Sequence, residues 1–212
     1  LDLPLPTGIW RSVGHSYNAF AVESMIDEAA HAAGVDPLAY RLARLEGRET
    51  HRALLERVRD DSGWGRAPEG RAKGVAVHEC YGSFCAMVAE VSVEAGRPRV
   101  HRVWAAVECG QVIDPDGVAA QIEGSVVFGL SAALDGELRL EGGRIVTSNF
   151  HDYPILRIDE MPEVEVVTLP ASRPPSGVGE IGVPPIAPAV TNALFALTGE
   201  RIRALPIRLT AT

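Results

Sequence analysis

The sequence predicts an α+β fold, because its helix and strand signals come partly in blocks rather than in strict alternation. Two observations carry this. Three segments before residue 62 show helical spacing between recognisable start and stop residues. From Gly74 to Val107 the pattern changes to alternating apolar and polar residues rich in valine, the pattern of half-buried strands.

The first helix is expected over 16–33. Phe20, Ala21, Met25, Ala29 and Ala32 fall near one face, expected to turn inward, and Glu23, Asp27 and Glu28 on the other. Gly34 ends it. Asp36-Pro37 starts a second helix, with Asp as N-cap and Pro at the first helical position. Leu38, Leu42 and Leu45 line its apolar face, and Gly47 stops it. A charged third helix runs from about Glu49 to Asp61. The Gly-, Arg- and Lys-rich stretch 62–74 is the best internal boundary in what is otherwise read as one domain over 1–212.

Strands are expected at Gly74–Cys80, Phe84–Glu94 and Val100–Val107, with Ala95-Gly96-Arg97-Pro98 as a turn. Asp114-Pro115 opens a helix that reaches about Leu134 through Val118, Ile122, Val126 and Leu130. Short strand signals follow near Leu138, Val146 and Val164–Leu169, with a Gly142-Gly143 turn. A Pro- and Gly-rich stretch covers 170–188. The last helix is expected at Ala187–Thr198, closed by Gly199, and Arg203–Arg208 reads as a closing strand.

The formal net charge of −8 argues against nucleic-acid binding, which needs a basic face. No apolar run is seen to approach the roughly 18 residues of a membrane span, so none is expected. The chain opens on Leu1 and the Pro-rich Leu3–Pro6, without the pattern of a signal peptide. The expectation is a piece of a longer chain, whose compartment, cytoplasmic or periplasmic, is encoded elsewhere. Cys80, Cys85 and Cys109 fit no zinc, ferredoxin or C-x-x-C spacing and read as buried reduced thiols.

The most unusual segment is Gly177-Val178-Gly179-Glu180-Ile181-Gly182-Val183-Pro184-Pro185. Glycines let a backbone approach a ligand closely, and one carboxylate among them, just before a helix, can serve as acid or base. Taken alone, a surface loop with a solvated glutamate is the favoured reading. His78-Glu79 and His151-Asp152 bring no H-E-x-x-H or G-x-S-x-G context, so a metal site or hydrolytic relay is not supported. They read as members of hydrogen-bonded loops.

Followed by an Ala-rich helix, the Gly-Val-Gly-Glu…Pro-Pro segment resembles the C-terminal signature of the xanthine oxidase family of molybdenum hydroxylases. Three further stretches resemble that family in the same chain order. They are Gly8-Ile9-Trp10-Arg11-Ser12-Val13-Gly14 before a helix, Val107-Glu108-Cys109-Gly110 with Ile113-Asp114-Pro115, and Gln121-Ile122-Glu123-Gly124 with Phe128-Gly129-Leu130. Arg11–Asn18, Val77-His78-Glu79 and Ser148–Pro154 are similar to its branch of isoquinoline 1-oxidoreductase β subunits and related aldehyde-oxidising subunits.

The resemblance implies the C-terminal portion of a molybdenum-cofactor-binding domain of the large-subunit type, a mixed sheet packed with helices. It implies Glu180 as general base and Arg11 as an active-site arginine that stabilises negative charge on the substrate. Gln121 would hydrogen-bond the pterin, with Gly179 and Gly177 offering backbone to the cofactor. The protein itself supplies no metal ligand. The cofactor implied is molybdopterin cytosine dinucleotide with molybdenum. The partners implied are the remainder of the large subunit and a small subunit with [2Fe-2S] clusters. The substrate would be an N-heteroaromatic compound or an aldehyde. The chain alone is expected to be inactive. The competing reading is a scaffold module that kept the fold and lost the chemistry. Two positions depart from the commoner pattern: Ser12-Val13 stand where better-known members have Gly and an aromatic residue, and Ile181 stands where Pro usually follows the glutamate.

Overall fold

The computed structural model describes residues 7–210. Leu3–Pro6 lie outside them. Helices α1 (Gly14–Ala32), α2 (Pro37–Leu42) and α3 (Glu49–Ser62) precede strands β1 (Ala72–Cys80), β2 (Ser83–Glu94) and β3 (Arg97–Glu108). Helix α4 (Pro115–Leu134), a small hairpin of β4 (Leu140–Glu141) and β5 (Arg144–Ile145), strand β6 (Glu163–Thr168) and helix α5 (Val183–Thr198) complete the chain. The class is the expected one: the main sheet is mixed, in the order β1-β2-β3-β6, with β6 parallel to β3 and the other pairs antiparallel.

The sheet is a meander with both faces covered. Tyr81-Gly82 and Ala95-Gly96 link its antiparallel strands, all four residues at positive φ, the two-residue turn whose twist suits a hairpin. One face (Ala76, Met87, Ala89, Val103, Ala105) meets Ile122, Val126 and Leu130 of α4 and Ile186, Ala189 and Ala193 of α5. The other face (Val75, Ala86, Val88, Trp104, Ala106) meets Leu38 of α2 and Leu54, Leu55 and Val58 of α3. Burial on both faces explains the near-continuous apolar stretch in β2, where alternation fades. Cys80 and Cys85 lie in strands and Cys109 just past β3, all buried and unpaired.

Helix α5 sits at the centre. It touches β1 so closely that a Cβ at Gly74 would overlap the Ala189 carbonyl oxygen and the Ala193 nitrogen. It begins four residues before the expected start. Pro184 and Pro185 occupy its first turn, where a missing N–H leaves no bond unmade, so the prolines belong to the helix and not to the preceding loop. Gly199, at φ 76°, ends it as expected.

Helix α1 corrects the sequence reading. The face carrying Ala21, Met25, Ala29 and Ala32 is the outer one, and Met25 is 58% exposed. The charged face is turned inward, with Glu23 at 3% and Asp27 at 1% exposure. Apolar periodicity finds the buried face only when the core is apolar. Here the carboxylates are met by cations: Arg41 Nε donates to Glu23 Oε2 at 3.0 Å, and Arg201 Nη2 to Asp27 Oδ2 at 2.8 Å. Glu23 Oε2 also accepts the Val77 N–H of β1 at 3.1 Å, and Asn192 of α5 donates to the carbonyls of Glu23 and Val75. Burial pushes the Glu23 carboxyl above its usual range, and Arg41 opposes that push.

Helix α2 is shorter than expected and ends at Leu42, while Asp36 caps it through the N–H groups of Leu38 and Ala39. Arg203–Arg208 is not a strand. Its buried Ile202 and Ile207 flank an irregular segment that lies on the helices, and Ile207 N donates to Ala133 O at the end of α4. Its alternation comes from that lie and not from a sheet. Helix α4 has the length and apolar composition to cross a membrane, contrary to the expectation that no segment does. Its Val118, Ile122, Val126, Leu130 and Ala133 lie in the core, which accounts for that composition in a packed domain.

Two substitutions test this packing, by denaturant unfolding. Gly74→Ala is expected to destabilise by about 2–3 kcal/mol, since its methyl meets backbone on both sides. Arg41→Met leaves Glu23 buried beside no cation and is expected to cost about 3–5 kcal/mol at neutral pH. Because the folded-state pKa of Glu23 is raised, the charged form is the disfavoured one, so this loss shrinks as pH falls and Glu23 takes up a proton.

Candidate functional site

Three segments far apart in sequence meet at the N-terminal ends of α1 and α5 and on one face of α4. The first is the loop before α1. Ser12 and Val13 are both left-handed, at φ 72° and 47°, a costly conformation for residues other than glycine. The turn places the fully buried Ser12 against the loop before α5. Ser12 N donates to Glu180 Oε1 at 2.9 Å, and Ser12 Oγ donates to the Glu180 carbonyl at 2.6 Å.

Arg11 reaches the same loop. Its Nε donates to the Gly179 carbonyl at 2.6 Å and its Nη2 to Ser125 Oγ of α4 at 2.8 Å. Weaker contacts run from Nη2 to the carbonyl and Oε1 of Gln121, at 3.4 and 3.5 Å, and the guanidinium lies 5.6 Å from the Phe128 ring centre. These partners are carbonyls, a hydroxyl and an aromatic face. Burial lowers the Arg11 pKa while the Glu180 charge raises it, and the first effect is the larger.

The loop carrying Glu180 is held from below. Gln111 N donates to Arg173 O and Ser176 N to Cys109 O, continuing the line of β3. A Cβ at Gly110 would collide with the Pro174 carbonyl, so this approach requires glycine there. Glu108 accepts from Arg173 Nη2 at 2.6 Å, and Ser83 Oγ bonds Ser176 Oγ and the Gly177 carbonyl at 2.7 Å each. Gly182 lies against Ser125 and Gly129 against Ile186, which seats α4 on the start of α5.

Arg11, Gln121, Gly179 and Glu180 are therefore brought together. Gln121 is exposed, and its Oε1 lies 3.7 Å from where a Gly179 Cβ would be. Beside Gly177 a Cβ would meet nothing within 4 Å. Gly179 thus lies beside a side-chain amide and next to the Glu180 carboxylate, while Gly177 faces open space two residues earlier in the same loop. Ser83 and Ser125 escaped the sequence reading, and Ser12 was marked only as a departure from the commoner pattern. Serines carry no distinctive pattern that would have pointed to these contacts.

The histidines fall into two groups. His151 and Asp152 lie in a loop where Asp152 accepts the N–H groups of Ser148 and Asn149, the hydrogen-bonded setting expected of them. His15 and His78 are different: His15 Nδ1 and His78 Nε2 are 2.9 Å apart, with the Tyr81 ring edge-on to His15. Burial, with help from His15 and His51, pushes His78 down to about 4. On the adjacent strand end, burial and the Glu180 and Glu79 charges push the Cys80 thiol up to about 11. Among the described residues no group of three or more His, Cys, Asp or Glu is disposed to hold a metal ion.

Comparison with known proteins matches the molybdopterin cofactor-binding domain to residues 18–162, well over half of the chain. The chain belongs to the molybdopterin cofactor-binding domain family. The match includes Gln121 and stops short of Arg11 and Glu180 on either side. The β subunit of isoquinoline 1-oxidoreductase from Brevundimonas diminuta is 37% identical over 93% of this chain and 26% of that protein. The molybdenum-binding subunit of an Escherichia coli (strain K12) aldehyde oxidoreductase is 30% identical over 85% of this chain and 26% of that protein. The chain thus spans about a quarter of the length of these relatives. The aldehyde oxidoreductase structure from Desulfovibrio desulfuricans ATCC 27774 shares the fold, with a TM-score of 0.79 over 93% of this chain and 40% of that one, at 15% identity. The first two relatives are named as an oxidoreductase subunit and as the molybdenum-binding subunit of an aldehyde oxidoreductase, and the chain is similar to about a quarter of each.

The His78 shift fixes the sign of one pH effect in this molybdopterin-binding domain. Between pH 6.5 and about 4 the unfolded chain takes up a proton that folded His78 refuses. Stability is expected to hold above 6.5 and to fall as pH drops through that window. In His78→Asn this part of the slope should vanish, which pH-dependent unfolding of the two proteins measures.

Proposed function

We propose that this domain supplies the general base and one wall of the cofactor site in a molybdenum hydroxylase. That enzyme would oxidise an N-heteroaromatic compound related to isoquinoline, or an aldehyde. The observation that carries the reading is the clamp on Glu180. A carboxylate is held by the Ser12 N–H through Oε1, in a loop that Arg11 holds at the Gly179 carbonyl, with Gln121 beside Gly179 and open space at Gly177.

The donor set fits a pterin-held metal. Such a metal asks the protein for amide groups and close backbone rather than for ligands, and Gln121, Gly177 and Gly179 offer these. Gln121 would hydrogen-bond the pterin edge, with the Gly177 and Gly179 backbones against the cofactor, here assigned as molybdopterin cytosine dinucleotide. When bound, the group supplies insertion of water-derived oxygen and acceptance of two electrons.

The chain's own residues do the rest. Glu180 takes a proton at Oε2, the carboxylate oxygen that Ser12 N–H leaves free. Arg11, held in place by Gly179 and Ser125, stabilises negative charge that develops on the substrate. Electrons leave through [2Fe-2S] clusters on a small partner subunit, and the remainder of the large subunit closes the other side of the site. The aldehyde and N-heteroaromatic readings share this machinery. In both, the attacked carbon is electrophilic and the base removes a proton from the incoming oxygen.

The test uses the full-length subunit with its iron–sulfur partner. Molybdenum content and oxidation of isoquinoline and of aromatic aldehydes are measured for wild type and Glu180→Gln. Retained molybdenum with turnover reduced by about 10³-fold or more is the expected result. A wild type that binds no molybdenum, or a variant that keeps its turnover, would sink the proposal.

A further inference from the structure

We infer that Ser12 is a positioning residue for Glu180, its hydroxyl supplying the restraint that a proline at position 181 would otherwise give. The inference rests on the reading of Glu180 as base.

Glu180–Val183 form a turn, with Val183 N donating to Glu180 O at 3.1 Å and Gly182 at φ −79°, ψ −15°. These angles suit the third residue of a type I turn, which makes Ile181 the second residue, the place where proline is favoured because it fixes φ. Ile181 leaves that torsion free. Its side chain is buried in the core, which anchors the turn on the Ile181 side of the peptide. That peptide is also fixed from Ser12. Its carbonyl accepts two hydrogen bonds, from Ser12 Oγ and Val183 N, while Ser12 N holds the carboxylate.

The backbone at Ser12 makes the choice of residue informative. At φ 72° glycine would be easier to accommodate than serine, which is strained there. Ser12 is nonetheless fully buried, and its Oγ is used in a 2.6 Å bond to the Glu180 carbonyl. A glycine would keep the left-handed N–H and lose that bond. The hydroxyl and the missing proline therefore form a pair: one restraint from across the fold in place of one from within the turn.

The test again uses the full-length subunit with its partner, carrying Ser12→Ala, Ser12→Gly and Ser12→Ala/Ile181→Pro. Amide hydrogen exchange over residues 178–183 is read beside molybdenum content, kcat and KM. Both single variants should keep molybdenum, exchange faster in that segment, and lose about tenfold to a hundredfold in kcat with KM within about twofold. The double variant should recover protection and part of kcat relative to Ser12→Ala.

Ser12→Gly is the decisive variant, because a merely conformational role would leave it equal to wild type. Wild-type exchange and kcat in Ser12→Gly overturn the inference even if the proline variant fails to fold. Faster exchange with unchanged kcat also overturns it. Where Glu180→Gln has kept its turnover as well, the failure belongs to the base assignment instead.

Discussion

At Gly74, where β1 crosses α5, backbone meets backbone. Everything at the candidate site depends on it. With no side chain between them, the sheet and α5 share one core, and the helix is buried along most of its length. The loop carrying Glu180 is the N-terminal extension of that helix. Gly129 and Gly182 let α4 settle against the same helix start, which brings Gln121 and Ser125 within reach of Arg11. Interiors are packed as tightly as organic crystals, so a shift of α5 on β1 would pass to the carboxylate with little loss.

A second, polar framework fixes α1. Glu23, Asp27, Arg41, Arg201 and Asn192 tie it to α2, β1, α5 and the segment after α5. Such a network contributes less to stability than an apolar core of the same volume, because both charges lose water. What it does supply is register. Directional bonds fix the rotation of α1 about its axis, and that rotation aims the preceding turn, with Arg11 and Ser12, at the loop before α5. The apolar face can remain outside because the Glu23 and Asp27 carboxylates of the inner face are paired with Arg41 and Arg201.

Much of the fold was legible in the sequence, for identifiable reasons. Helix α3, helix α4 and the three-strand meander follow from periodicity and turn residues, since their burial is apolar. The orientation of α1 was not legible, because its inner face is charged and its partners, Arg41 and Arg201, are distant in sequence. The start of α5 was hidden by prolines, which signal a loop in general and a helix only in its first turn. Arg203–Arg208 alternated like a strand for want of any local sign that helices, not strands, lie beneath it. At the site, motif resemblance pointed to Arg11, Gln121, Gly177, Gly179 and Glu180, of which the fold brings Arg11, Gln121, Gly179 and Glu180 together. The clamp itself was not visible. Its key donor is a backbone N–H made available by a left-handed serine, and no residue pattern announces that conformation.

The bond from Arg11 to the Gly179 carbonyl joins residues separated by 168 positions. Closing a loop of that length carries a large entropic cost, recovered only once the intervening elements already stand in place. The meander, whose contacts are local, can form early, whereas the carboxylate and its clamp meet only at the end of folding. A partly folded chain therefore lacks the clamp around Glu180. The moment at which the candidate site appears is the moment at which the whole domain is complete.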